Sequence, residues 1–382
     1  MSLTVEITGT GTVNRGAELM AIAIATALRE ELPHIRLVVP PKFGDFEARS
    51  CERFWTTWEF QNRFGLGLAP ILLRTAPNAI RKTLGVLDPR SIDAVVDASG
   101  FAFSDQWGPQ FANALFSKLN SAARKNSPLI LLPQAFGPFC RKDVSKATRA
   151  LCQRASRIYA RDQISFESLL DIGVDESRLR KSPDFTIGIP PIIDNQVKLP
   201  CKKFCAIVPN VRMTDKTDKA KEYWNFLSDA IKTIDRHGYQ PVIVLHTTGQ
   251  DTGIARQLGN TVSNLCIIEH KNPQVLKHVL GSAHLVISSR FHAIVSTLSQ
   301  GTPCIGTGWS HKYEELYRDF DCSELLLHDL SQPEQLSSII ESMKEDSVRL
   351  AITRKLSKAT DRLKEANSIM WQDVVEIIKQ AN

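Results

Sequence analysis

The sequence predicts an α/β protein made of two doubly wound halves, and three observations point there. Short apolar runs alternate with amphipathic stretches along most of the chain, as parallel strands do with their crossover helices. The turns between them are rich in Gly, Ser and Asn. At 188–200 the chain reads GIPPIIDNQVKLP, a linker by composition, and the alternation restarts beyond it. Length agrees, because 382 residues at about 150 per domain exceed what one core usually supports. The expected halves are 1–190 and 191–382, with a cleft between them.

In the first half, 3–8 (LTVEIT) is an expected strand, followed by a Gly-rich turn and a helix over 16–31. Further strands are expected at 36–39, 93–97, 128–133 and 157–160, and helices at 109–124, 142–155 and 163–172. The stretch 43–90 is less regular. Its aromatics, Phe43, Phe46, Phe54, Trp55, Trp58, Phe60 and Phe64, suit an insertion packed on its own rings, a lid or a partner surface. In the second half, strands are expected at 204–209, 241–246, 265–269, 284–288 and 303–306. The last segment, 332–381, reads as helical throughout, its final helix crossing back to the first half.

Composition narrows the function. Hydrophobic residues make up 43% and charged residues 23%, with 20 Gly and 19 Pro, which excludes disorder and collagen-like repeats. Net charge is 47 − 41 = +6, of which 1–190 carries 24 − 19 = +5 and the remainder 23 − 22 = +1. That bias suits small anions rather than nucleic acid. No apolar run reaches the roughly 18–20 residues of a membrane span, and MSLTVEITGTG is not a signal peptide, so a cytoplasmic protein is expected. The eight cysteines include no C-x-x-C, and Cys201 with Cys205 lacks a second pair, so no metal site is expected; no cofactor is expected either.

Ligands of parallel sheets sit beyond the carboxyl ends of strands, often at the start of the next helix. Four candidates follow in the first half: Asn14-Arg15-Gly16, Ser99-Gly100, Gln134 to Gly137, and Arg161-Asp162. The loop GTGTVNRGAE misses the G-x-G-x-x-G register and the Lys-Ser/Thr of a P-loop, which argues against a nicotinamide dehydrogenase. Between 141 and 161 lie seven basic residues and one acid, Asp143, most of them on the expected solvated face of a helix. Arg161 ends a strand, where its fork of donors suits carboxylate or phosphate. Its competing role is an ion pair with Asp162 or Asp184. In 284–320, Ser288, Ser289, Arg290 and His292 gather at a helix start, which attracts anions, and Lys312 follows the next strand. A histidine in such company is available for proton transfer near neutral pH.

The string SSRFHAIVSTLSQGTPCIG…HK resembles the C-terminal signature of the polysaccharide pyruvyl transferases. NRGAE, LLPQAFGPF, YARDQISFESLLDIGV and SPDF extend the resemblance in order over 5–320. The resemblance implies a fold like the GT-B glycosyltransferases, two Rossmann-like halves facing across a cleft. It implies transfer of the pyruvyl group of phosphoenolpyruvate to a sugar diol, forming a ketal and releasing phosphate. Carried over by residue, it makes Arg161, His292 and Lys312 catalytic and Arg290 and Ser289 donor contacts, with Asn14, Glu18, Ser99 and Gly100 on the acceptor side. Two departures fall on the acceptor loops: Ala17 stands where the family has an acid, and Ala98-Ser99-Gly100 where it often has three glycines. The implied partners are phosphoenolpyruvate and a sugar, free, nucleotide-linked or lipid-linked. Nucleic acid and an integral membrane segment are not expected, and a homo-oligomer is compatible with the sequence. Two rivals share the scaffold, a nucleotide-sugar glycosyltransferase or epimerase and a non-catalytic sugar- or partner-binding protein.

Overall fold

A computed structural model describes residues 3–57, 72, 75–121, 123–124, 126–200, 203–215, 220–247, 249, 251–259, 261–263 and 265–381. The chain divides into two compact units, 1–12 with 20–185 and 366–382, and 13–19 with 186–365. The second unit thus takes in the start of the first helix, Arg15–Glu31, and the first takes in the end of the last helix, Asp346–Lys379.

The strands of the first unit are β1 (Thr4–Thr8), β2 (Arg36–Val38), β3 (Thr56–Thr57), β4 (Val86–Leu87), β5 (Ala94–Asp97), β6 (Leu129–Gln134), β7 (Ala155–Ala160) and β8 (Leu179–Lys181). Six of them form one parallel sheet in the order β2-β1-β5-β6-β7-β8. Every residue of β1, β5 and β6 is buried, which is why these strands read as near-continuous apolar runs. Glu6 in the middle of β1 is a buried charge held by two cations. Its carboxylate accepts from Arg124 and Lys118, each at 2.6 Å, and the Arg124 side chain is fully buried.

Part of the aromatic insertion extends this sheet's edge. Trp55 bridges to Val38, β3 pairs in parallel with β4, and Phe43 packs edge-on against Phe54 at 5.4 Å. Phe46 is exposed, while Trp58, Phe60 and Phe64 lie outside the described residues. The basic run after 141 departs from a wholly solvated face. Arg154 donates to the carbonyl of Ser127 at 2.9 Å and Arg157 pairs with Asp373 at 2.7 Å, so these two anchor neighbouring elements.

The second unit repeats the plan with β9 (Phe204–Val208), β10 (Gln240–Leu245), β11 (Cys266–Glu269), β12 (Leu285–Ser288), β13 (Cys304–Thr307) and β14 (Leu326–Leu327). All pairings are parallel, in the order β11-β10-β9-β12-β13-β14. The linker lies against the helix Pro273–Gly281, where Ile192 donates to the carbonyl of Gln274 at 3.1 Å and Gln274 returns a bond to Pro190 at 3.0 Å. The segment expected to be helical over 332–381 comprises two helices, Pro333–Ser342 and Asp346–Lys379.

In each sheet the strand order reverses direction once, between β1 and β5 and between β9 and β12. Chains leave the two central strands toward opposite sides there, which opens a crevice at the carboxyl ends. Asn14, Glu18, Ser99, Gly100, Ser289, Arg290 and His292 follow strands that border these two places, whereas Arg161 follows β7 and Lys312 follows β13.

Candidate active site

In the second unit, β12 ends at Ser288 and Arg290 caps the helix Phe291–Leu298. The Ser288 hydroxyl accepts from the Arg290 backbone N–H at 3.0 Å. Ser289 is fully engaged: its hydroxyl bonds Thr307 (2.7 Å) and Tyr223 (3.0 Å), and its carbonyl accepts from Asn210 (2.8 Å) and Tyr313 (3.0 Å). Ser289 therefore fixes the loop rather than presenting a hydroxyl to a ligand. The buried Arg290 guanidinium donates to the carbonyl of Pro209 at 3.2 Å and forms an ion pair with Asp251. Burial pushes the Asp251 carboxyl up, with Arg290 acting in the opposite direction.

The segment 13–19 docks onto the end of β10. Asn14 bridges to Thr247, and the Arg15 backbone donates to the carbonyl of His246 at 3.1 Å. Asn14 is exposed, and its side-chain oxygen accepts from the N–H of Gly16 at 2.9 Å. Glu18, a residue expected on the acceptor side, pairs with Arg15 at 2.5 Å. Gly16 is required by a neighbour: a Cβ there would lie 2.5 Å from Nδ1 of His292 and 2.8 Å from its Cβ and Cγ. The partly exposed His292 thus rests on the backbone of the NRG turn. His246 is buried, and Arg290, His292 and Arg15 all bear on it as positive charge, so burial and these neighbours hold its imidazole well below the usual histidine range.

Lys312 is in the first turn of the helix His311–Asp319. Its ammonium lies over three rings, 5.2 Å from Trp309, 5.3 Å from Tyr313 and 5.7 Å from Phe291, the residue before His292. Cation–π attraction to these faces directs the charge toward the loop that Ser289 fixes. Asn14, Glu18, Ser289, Arg290, His292 and Lys312 thus belong to one unit.

Ser99, Gly100 and Arg161 belong to the other unit. Asp97, at the end of β5, is buried and accepts from Thr8 (2.8 Å), the Ser99 hydroxyl (2.9 Å) and Gln134 (3.3 Å). Burial pushes its carboxyl up, opposed by those bonds. Gly9 has φ +78°, and a Cβ there would lie 2.4 Å from the Ser99 hydroxyl, so only glycine lets the β1 and β5 loops meet. Gly100 also has φ +72°. Arg161 follows β7, and its side chain pairs with Asp184 at 3.4 Å, the structural role that competed for it in the sequence. Asn367 donates to the carbonyl of Asp184 at 3.0 Å and braces that pair. Among the described residues, no group of three or more His, Cys, Asp or Glu could hold a metal ion.

The family profile described as polysaccharide pyruvyl transferase matches residues 14–311. The chain belongs to that family. The match begins at Asn14, contains Arg161, Arg290 and His292, and stops one residue before Lys312. This pyruvyl transferase family member is 25% identical over 248 residues to the amylovoran biosynthesis protein AmsJ of Erwinia amylovora, an alignment spanning 58% of each chain. Among solved structures it is similar to HepE of Anabaena in complex with UDP-glucose, with TM-score 0.58, 14% identity, and 100% and 98% of the two chains covered. It is also similar to the UDP-GlcNAc 2-epimerase of Neisseria meningitidis bound to UDP-GlcNAc, with TM-score 0.56, 11% identity, and 96% and 98% covered. These likenesses establish the fold, a GT-B-like arrangement of parallel α/β sheets.

Sequence reasoning missed His246, Asp251 and Asp97 in this family member. His246 and Asp97 end or follow strands, so the strand-end rule that found Ser99 would have found them. Asp251, in the turn before a short helix, carries no such signal; only its pairing with Arg290 singles it out.

Proposed function

We propose that the chain transfers the pyruvyl group of phosphoenolpyruvate to two hydroxyls of a sugar in a polysaccharide or its precursor. The observation that carries this reading is the helix start at Phe291, where His292 follows Arg290 and packs against Gly16, the residue after Arg15, in the same unit as Lys312, whose ammonium lies over the Phe291 ring. A proton donor among cationic groups at a helix N-terminus matches what the donor substrate brings, a phosphate, a carboxylate and a methylene carbon to be protonated.

In this reading His292 delivers a proton to the methylene carbon, and a sugar hydroxyl bonds to the adjacent carbon, returning its proton to His292. The carbon–oxygen bond to phosphate then breaks, and the bonding pair leaves with phosphate, stabilised by Lys312 and the helix N-terminus. The second hydroxyl closes the ketal and gives its proton to phosphate. The assignment of Arg161 to the donor rests on the resemblance and on its place at a strand end, and R161Q tests it separately. The family's name and a relative named for amylovoran biosynthesis support a saccharide acceptor. No helix among the described residues is long and apolar enough to cross a membrane, which suits a reaction in the cytoplasm, where phosphoenolpyruvate is made.

The test is phosphate release from phosphoenolpyruvate over a panel of free, nucleotide-linked and lipid-linked sugars, with H292A beside the wild type. Acceptor-dependent release and a pyruvylated product, both lost in H292A, are expected. Sugar transfer or epimerisation of a nucleotide sugar without phosphoenolpyruvate would overturn the reading, as would full activity of H292A.

A further inference from the structure

His246 carries an unexplained feature. The residue is 3% exposed, at the carboxyl end of β10 next to the reversal between β9 and β12, and its Nδ1 is buried with no hydrogen-bond partner. A buried polar atom left unsatisfied is destabilising, and native structures rarely keep one unless a ligand or water completes it. Its surroundings indicate which ligand. Arg15, Arg290 and His292 all act on the imidazole as positive charge, yet Arg15 is paired with Glu18 and Arg290 with Asp251 and the carbonyl of Pro209. Both guanidinium groups already have carboxylate partners, so neither is the unsatisfied donor of this cluster. A neutral N–H donor beside cationic side chains satisfies an anionic oxygen without adding a like charge to the cluster.

We propose that His246 donates its Nδ1–H to a phosphate oxygen of the donor substrate and so acts as a binding residue beside the acid/base His292. The inference rests on the pyruvyl-transfer reading. It adds a phosphate contact outside the resemblance motifs and fixes the imidazole tautomer, because an anion can only accept. A hydrogen bond to a charged partner is worth about 10- to 100-fold in affinity.

The experiment is calorimetric titration of the full chain with inorganic phosphate, phosphoenolpyruvate and pyruvate, for wild type, H246L and H246N. Asn carries an N–H close to the position of Nδ1, whereas Leu keeps the bulk and removes the donor. Expected is a loss of about 10- to 100-fold for phosphate and phosphoenolpyruvate in H246L, substantial recovery in H246N, and no change for pyruvate. In wild-type protein labelled with ¹⁵N-histidine, phosphate addition should shift one Nδ1 resonance that H246N lacks, a readout independent of how well H246L folds. Equal affinities in wild type and H246L, or an unmoved Nδ1 resonance, would overturn the inference while leaving pyruvyl transfer intact. A loss for pyruvate equal to that for phosphate would assign the contact to the carboxylate and overturn it as stated. Wild-type protein that binds neither phosphate nor phosphoenolpyruvate would remove both readings.

Discussion

Replacing Gly16 with Ala tests the geometry around His292 without touching a titratable group. The new Cβ would lie 2.5 Å from Nδ1 and 2.8 Å from Cβ and Cγ of His292, where ordinary contact begins near 3.4 Å. Because Gly16 is in the first turn of a helix and the ring is the movable partner, the imidazole must retreat by about 1 Å. A displacement of that size at a reacting group typically lowers rate about 100-fold. Overpacking destabilises by about 1–3 kcal/mol, and the gain in helix propensity from Gly to Ala offsets up to about 1 kcal/mol. The expected result is therefore phosphate release reduced about 100-fold in a protein whose stability falls by no more than about 3 kcal/mol. The assay is acceptor-dependent phosphate release with a urea melt of the same preparation. Gly188→Ala is the control, since nothing lies within 4 Å of a Cβ there. Wild-type turnover in a correctly folded G16A would refute the argument that His292 must stand where the glycine lets it.

Three further outcomes follow from the same structure. Glu6→Gln removes the carboxylate charge that faces the buried Arg124 guanidinium and should lower stability by about 3–5 kcal/mol in a urea melt. Lys312→Met keeps contact with the three rings but loses the charge; phosphate release should fall at least about 10-fold while stability changes by only about 1 kcal/mol. His246 and His284 are both held below the ordinary histidine value in the folded chain, so the unfolded chain binds more protons once pH drops below about 6.5. Stability is unaffected by these groups above that pH and should decline below it, by up to about 1.4 kcal/mol per pH unit for each, with a shallower decline in H246N. Thermal melts between pH 7.5 and 5 that show no such decline would contradict the assignment.

The central strands of both sheets were legible because burial on two faces leaves an uninterrupted apolar run, as in LILLP and in LVIS. The strands β3, β4, β8 and β14 were not, since two or three residues carry no periodicity and their pairing is decided by neighbours far away in the chain. The same division holds for the site. Ser288 to His292 could be found because position after a strand is a local property. Glycine at 16 reads locally as a turn former, whereas its structural reason is an imidazole supplied from a different part of the sequence. Arg290 reads as an open anion ligand, and its partner Asp251 follows a segment with no pattern of its own. Arg161 had both roles open in the sequence, and only the folded chain shows its guanidinium 3.4 Å from the Asp184 carboxylate.

The division of the chain into units has a consequence for biosynthesis. The first unit is mostly made by residue 185, yet it also includes 366–382, which supply Asn367 to the carbonyl of Asp184, Trp371 to the ring of Phe185 and Asp373 to Arg157 and Tyr159. Roughly 180 residues separate the two parts, so at common translation rates the amino-terminal sheet waits on the order of 10–40 s on the ribosome before those partners exist. During that interval the Arg161–Asp184 pair lacks its brace and the ring of Phe185 its cover. A nascent chain halted before residue 366 should therefore be protease-sensitive around 155–185, and a chaperone that shields this edge would act on the unfinished protein rather than on the completed one.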